Sequence, residues 1–267
     1  MFDIFRTRLR QGHRTSSFPQ GGAELPERYR GLPALVRNGQ ASPPSAVPPI
    51  TTGADGSPLL DVGACLFSPE EAGSSPAGTV SFSGDYRMAT STRTSLLTST
   101  GEIELATALA GQSRRLFGRS LRLRSVVAGS CGGCEAELVA LGNVVFDLSR
   151  FGVQFVASPR HADGLVITGT VNRNMGAALE RTYEATLAPR LVIAVGACAL
   201  AGGPFRGSHQ AGDGVPDSIP VDLWVPGCPP HPLTLLDGIL RLLGRLPTSA
   251  NRRSAGQATA IADTEAG

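Results

Sequence analysis

Between residues 121 and 246, short runs of branched apolar residues alternate with longer segments whose apolar positions recur every three or four residues. The short runs are LRLRSVVA (121–128), VQFVA (153–157), GLVITG (164–169), RLVIAVG (190–196) and VDLWVP (221–226). They are rich in Val and Ile and mostly apolar on both faces, as strands inside a parallel sheet are. The longer segments predict helices over about 134–149, from an N-cap at Asn172 to about 188, and over 232–246. This alternation predicts an α/β, doubly wound, mainly parallel sheet.

The first 120 residues follow a different pattern, rich in Pro, Gly, Ser and Thr. The stretch 41–58 holds five prolines, which excludes a helix or a central strand. Residues 104–117 have helical spacing, with Leu105, Leu109 and Leu116 on one side. The opening MFDIFRTRLR reads as a short amphipathic helix, either a frayed end or a docking or membrane-surface segment. The tail after 247 has no apolar period and reads as disordered.

A chain of 267 residues and 27.6 kDa fits one ordinary domain plus something smaller, or two small domains. Its hydrophobic share of 41% suffices for one good core, kept modest by 5% aromatics. All 24 basic residues are Arg, which reads as codon bias, and a net charge of +2 does not select nucleic acid as a partner. The longest nearly uncharged apolar stretch, 191–203, is too short for a bilayer span. The opening does not read as a secretory signal, so the five cysteines are expected in a reducing cytoplasm, where spaced cysteines bind metal more often than they form disulfides.

Cys131, Cys134, Cys198 and Cys228 lie in the contexts AGSCGGCEAEL, VGACALAGG and VPGCPPHP, each directly after a predicted strand. In an open α/β sheet ligands bind beyond the carboxyl ends of the strands, so this placement gathers four thiols at one sheet edge. Flanking glycines permit the close backbone approach that an inorganic core needs. Four thiolates fit a 4Fe–4S cluster or a structural zinc. A redox CxxC would leave Cys198 and Cys228 without a role, and four unliganded buried thiols are a further reading. Ser130, His161 and Asp163 could be assembled on paper into a hydrolytic triad, but no nucleophile elbow is present. No GxGxxG follows a strand, and His209 and His231 read as surface or loop residues.

The motifs SCGGCEAE (130–137), ADGLVITGTVNRNM (162–175), RLVIAVGACALAGG (190–203) and IPVDLWVPGCPPHP (219–232) resemble the cluster-bearing small subunit shared by membrane-bound nickel–iron hydrogenases, hydrogenlyases and NADH–quinone oxidoreductase, in the last as its B-type subunit. Within that family, a CxxC pair with Glu three residues later resembles the hydrogenase and hydrogenlyase branch. The resemblance implies a flavodoxin-like fold and one 4Fe–4S cluster on Cys131, Cys134, Cys198 and Cys228. It implies a hydrogenase-type or quinone-oxidoreductase-type large subunit and integral membrane subunits as partners, with quinone a further candidate. The place it implies is cytoplasmic, peripheral on the inner face of the cell membrane. It also makes Glu137 a candidate proton carrier facing the large subunit; the alternative is a charge that stabilises the first turn of its helix. The apolar edge around the cysteines, including Ala199, Leu200, Pro204, Phe205, Pro229 and Pro230, is expected to need a covering partner.

The first 100 residues carry a second resemblance. QGHRTSSFP (11–19), RYRGLP (28–33) and LDVGACLFSPEEAGSSPAGTVSF (60–82) are similar to the two-cluster ferredoxin subunit of hydrogenlyase-type complexes, whose ligand run is C-x2-C-x2-C-x3-C-P. Here the four ligand positions of the second run hold Cys65, Ser68, Glu71 and Ser75, followed by Pro76, and the first run has no cysteine. The expected organisation is a degenerate, irregular ferredoxin-like segment (1–100), a linker helix (101–120), an iron–sulfur small-subunit domain (121–247) and a disordered tail (248–267). The first segment is expected to be loose and Cys65 to stand well away from the other four thiols. Two functions follow: a non-catalytic electron-transfer subunit of an oxidoreductase complex, or a structural subunit with no onward electron transfer.

Overall fold

The computed structural model describes residues 2–12, 14–21, 25–36, 49–53, 56–68, 71, 74–75 and 78–246. The 248–267 tail and most of the proline-rich stretch lie outside the described residues. The N-terminal half contains α1 (Phe2–Gln11), β1 (Pro33–Val36), β2 (Ile50–Thr52), β3 (Pro58–Asp61), β4 (Ser74–Ser75), β5 (Gly78–Phe82), β6 (Leu97–Thr98) and α2 (Gly111–Phe117). The C-terminal half runs β7 (Leu121–Val127), α3 (Gly133–Ala140), β8 (Val153–Phe155), β9 (Gly164–Thr168), α4 (Arg173–Ala185), β10 (Leu191–Val195), α5 (Gly196–Ala201), β11 (Leu223–Val225) and α6 (Pro232–Leu242).

Strands β7 to β11 form one parallel sheet in the order β11-β10-β9-β7-β8. Counted within this half the order is 2-1-3-4-5, the flavodoxin-like arrangement, with its switch point between β7 and β9. Both faces are covered. Val166, Ile193 and Val195 point into a core completed by Leu138 of α3 and Leu235, Leu236 and Ile239 of α6. Their strand neighbours Leu165, Ile167 and Val192 point the other way, onto Leu179 of α4. That two-sided burial is why these strands read as continuous apolar runs.

The N-terminal half is built from two small antiparallel sheets, β1-β5-β4 and β2-β3-β6. It is more tightly bound than its composition suggested. Leu32, Leu35, Leu60, Val80, Met88 and Leu96 share one core with Ala194, Ala199 and Leu200 of the large sheet and α5. Asp61 pairs with Arg93 at 2.6 Å, and Arg93 also donates to the Leu200 carbonyl at 3.1 Å. Thr90 and Trp224 exchange backbone hydrogen bonds at 3.0 and 2.9 Å, capping the β11 edge that would otherwise be unpaired.

Several helix assignments differ from expectation, among them α6, which ends at Leu242 and not at 246. Residues 104–110 are not helical, because the Ala106 and Leu109 amides donate to the Ala89 and Leu242 carbonyls, so tertiary pairing overrides the local period. The helix expected over 134–149 stops at Ala140, where the Asn143 side chain accepts the amides of Val145 and Phe146 and turns the chain. The short α5, which carries Cys198, falls inside a stretch read as strand and loop. α1 is a helix with no buried residue, leaving Phe2, Ile4, Phe5 and Leu9 exposed.

Candidate metal centre

Cys131 and Cys134 follow β7, Cys198 sits on α5 directly after β10, and Cys228 follows β11. All three connections leave the same edge of the parallel sheet, on both sides of the switch point. The Ala197 amide donates to the Gly227 carbonyl at 2.8 Å, fastening the Cys198 helix to the Cys228 loop. Cys134 and Cys198 are buried, whereas Cys131 and Cys228 are exposed at the rim.

Glycines shape the space around the sulfurs. A Cβ on Gly196 would stand 2.5 Å from Cys134 Sγ, and one on Gly203 would stand 2.7 Å from Cys198 Sγ. Both glycines have positive φ, +86° and +55°. A Cβ on Gly133 would lie 3.6 Å from both Cys131 Sγ and Pro229, so the CxxC loop and the Cys228 loop face each other across van der Waals distance. Among the described residues no three His, Cys, Asp or Glu side chains are drawn close enough to hold a single metal ion.

Burial pushes the Cys134 thiol up to about 12, with further contributions from the charges of Glu135, Cys198, Cys228 and Cys131. Cys198 is pushed up to about 11 by burial, then by Cys228, Cys131 and Glu135. Loss of solvent also raises Cys228, followed by the influence of Cys131 and Glu71. Cys134, Cys198 and Cys228, whose ionisation burial and neighbouring charge oppose, need a cationic core to ionise together. An iron–sulfur core supplies that charge, and glycine-lined walls leave room for it, so the residues present fit such a group.

The first-turn carboxylate of α3 is Glu135, not Glu137. Glu135 takes hydrogen bonds from Ser130 Oγ at 2.8 Å and from the Thr168 hydroxyl, tying the CxxC loop to the end of β9. This brace was missed in the sequence, although its position beside the CxxC pair was visible. Glu137 lies on the second turn, partly exposed, and burial raises its pKa. Ser130 is thus engaged by Glu135, and Asp163 accepts the Arg122 amide at 2.7 Å, so the paper triad has no support in these contacts. His209 is exposed; His231, by contrast, is half-buried as the N-cap of α6, where its Nδ1 accepts the Leu233 amide at 3.1 Å.

Cys65 does not stand apart. It is fully buried, and its thiol is raised by burial, by Glu71 and last by Cys228, while Phe67 of the same loop lines one cavity with Gly227 and Pro229 beside the cysteine edge. In that loop Cys65, Ser68 and Glu71 bond to each other. The Glu71 carboxylate accepts the amides of Leu66 at 2.9 Å and Ser68 at 3.0 Å and the Cys65 thiol at 3.3 Å. The Ser68 hydroxyl in turn accepts the Glu71 amide at 3.4 Å. An internal carboxylate is therefore the acceptor around which this loop closes. The apolar edge is also smaller than expected: Ala199 and Leu200 are covered by the chain's own N-terminal half and Pro230 is buried, while Pro204, Phe205 and Pro229 remain exposed.

Residues 131–242 match the family described as NADH ubiquinone oxidoreductase, 20 Kd subunit. The B-type subunit of an NADH-quinone oxidoreductase from Heliobacterium modesticaldum is 46% identical over 118 residues, 44% of this chain and 67% of that protein. A probable membrane-bound hydrogenase subunit from Pyrococcus furiosus is 42% identical over 132 residues, 49% of this chain and 79% of its own. The chain belongs to the NADH ubiquinone oxidoreductase 20 kDa subunit family. Formate hydrogenlyase subunit 7 of Escherichia coli is also similar, 39% identical over 139 residues, covering 52% of this chain and 54% of that one. Among solved structures, the membrane-bound sulfane sulfur reductase, an archaeal respiratory membrane complex, aligns with 49% of this chain and 73% of its own at 34% identity, with a TM-score of 0.44. The family match begins at Cys131 and leaves the N-terminal half outside it.

Proposed function

We propose that this family member is an electron-transfer subunit that holds one 4Fe–4S cluster on Cys131, Cys134, Cys198 and Cys228 within a hydrogenase-like or quinone-oxidoreductase-like complex. The observation that carries the reading is the meeting of three strand-end loops at one sheet edge, with their thiols in mutual electrostatic reach and glycines where a Cβ would strike sulfur. When bound, the cluster supplies one-electron chemistry. The chain's own part is to ionise four thiols, exclude water around Cys134 and Cys198, and hold the CxxC loop through Glu135.

The exposed rim of Cys131, Cys228, Pro229 and Phe205 is the face we assign to a large subunit. Glu137, raised by burial, is a proton-carrying group that such a subunit would desolvate further. Among the described residues no helix is long and apolar enough to cross a membrane. Membrane association, on this reading, is peripheral and passes through partner subunits. A second reading, a structural subunit without onward transfer, draws on Glu71, because the loop that resembles a cluster run closes on a carboxylate instead.

The test is the iron and acid-labile sulfide content of the anaerobically purified complex, with its electron paramagnetic resonance spectrum. One cluster gives about four irons per chain. About eight or twelve would return clusters to the N-terminal half, and none at all would refute the electron-transfer reading in favour of the structural one.

A further inference from the structure

The two halves of the chain meet in a cavity of about 190 Å³ that shares only Pro229 with the rim assigned to a large subunit. One wall is the Arg28–Tyr29–Arg30 segment of the N-terminal half; the other is the Pro229–His231 part of the Cys228 loop. We propose that this cavity binds a small carboxylate carried on an apolar body. The proposal goes beyond the cluster reading and stands whether or not the thiols hold iron.

Charge is the first argument. Arg87 pairs with Asp85, Arg93 with Asp61 and Arg241 with Asp237; among the described residues neither Arg28 nor Arg30 forms an ion pair. Arg30 donates to the Phe67 carbonyl and lies 5.8 Å from the Phe82 ring centre, contacts that orient a guanidinium without neutralising it. Two carboxylates of the same region are already engaged. Asp85 binds Arg87 through both oxygens at 2.8 and 2.9 Å, and Glu71 is held by its own loop.

The remaining polar lining consists of a donor and a neutral hydroxyl. His231 Nδ1 accepts the Leu233 amide, which leaves the ring proton on Nε2, and burial keeps the ring neutral. Tyr29 and Phe146 fix that ring edge-on, with centroids 5.3 and 5.9 Å away. Tyr29 shares a hydrogen bond with Thr234 at 3.3 Å, and burial pushes its phenol up to about 12, so it adds no negative charge.

Two planar guanidiniums that form no ion pair among the described residues, beside an imidazole N–H, suit a carboxylate, which matches the guanidinium fork. Phe67 and Met88 close the cavity with apolar surface, which suits a ring or short chain attached to that carboxylate. A cavity of about 190 Å³ has room for one ring or a short chain attached to that carboxylate.

Equilibrium dialysis of radiolabelled benzoate against the full chain, purified with its partner subunits, tests the proposal. The expected result is saturable binding of one benzoate per chain, with benzyl alcohol, the neutral counterpart, at least tenfold weaker. Arg28→Gln, at an exposed position that should not disturb folding, weakens benzoate by about tenfold or more. Arg181→Gln, an exposed control on α4, leaves it unchanged. Arg30→Gln, which also loses the Phe67 contact, is read beside Arg28→Gln and weakens benzoate at least as much. Non-saturable uptake, equal binding of benzyl alcohol, or indifference to Arg28→Gln overturns the proposal. Binding that appears only after the partner subunits are removed overturns the free-ligand assignment and gives the carboxylate to a partner.

Discussion

Replacing Gly196 by alanine puts a methyl group where the structure has room only for sulfur. The new Cβ would stand 2.5 Å from Cys134 Sγ, whereas unbonded heavy atoms settle at about 3.5–4.0 Å. The sulfur must therefore retreat by about 1 Å, while ligand geometry in metal sites is held to about 0.2 Å. Gly132 provides the control. Its φ of +89° matches the +86° of Gly196, but a Cβ there meets nothing within 4 Å. Both substitutions carry the left-handed backbone cost of about 1–2 kcal/mol. Only Gly196→Ala adds the overpacking cost of about 1–3 kcal/mol. Iron per chain after anaerobic isolation, together with the thermal midpoint, reads the two effects separately. Gly132→Ala should keep its iron and lose a few degrees, at about 2–4 °C per kcal/mol for a chain of this size. Gly196→Ala should lose most of its iron and melt lower still. Equal iron in the two variants would refute the cradle around Cys134.

Other consequences can be measured on the same preparation. Glu71→Ala strips the acceptor from two amides and a thiol, so the N-terminal half should lose about 1–3 kcal/mol and become protease-sensitive while iron stays unchanged. Glu137→Gln should leave assembly and iron intact and lower turnover of the complex by a large factor; full turnover would leave Glu137 with no part in proton transfer. Burial lowers the His231 pKa below its usual 6.5, so the unfolded chain binds the proton more readily. Stability should then fall as pH drops through and below about 6.5, and His231→Asn, which keeps an N-cap acceptor, should flatten that part of the pH profile.

The central strands β9 and β10 were legible because every residue in them is buried, and a run such as LVIAV has few other stable settings. The cysteine edge was legible for a related reason: once strand ends are known, an α/β sheet dictates where the following loops gather. What could not be read depends on partners distant in sequence. Leu105 and Leu109 have helical spacing, yet their segment pairs with Ala89 and Leu242, which no local pattern reveals. The N-terminal half looked loose because its composition suits turns; its core is completed by Ala194, Ala199 and Leu200 from elsewhere in the chain. Cys65 seemed isolated in sequence because the packing that carries it toward Cys228 is tertiary. Glu71 was seen only as a missing ligand, whereas its carboxylate is the acceptor that closes the loop.

The central claim is that four particular thiols, and not the fifth, hold one cluster. Five single Cys→Ala variants of the full chain, isolated anaerobically with its partner subunits and assayed for iron and sulfide, test it most directly. The account predicts that Cys131→Ala, Cys134→Ala, Cys198→Ala and Cys228→Ala each lose most of the iron. It predicts that Cys65→Ala keeps about four irons per chain, although its buried site makes the variant less stable. Full iron in any of the first four, or loss of iron with Cys65→Ala in a preparation that remains folded, would contradict it.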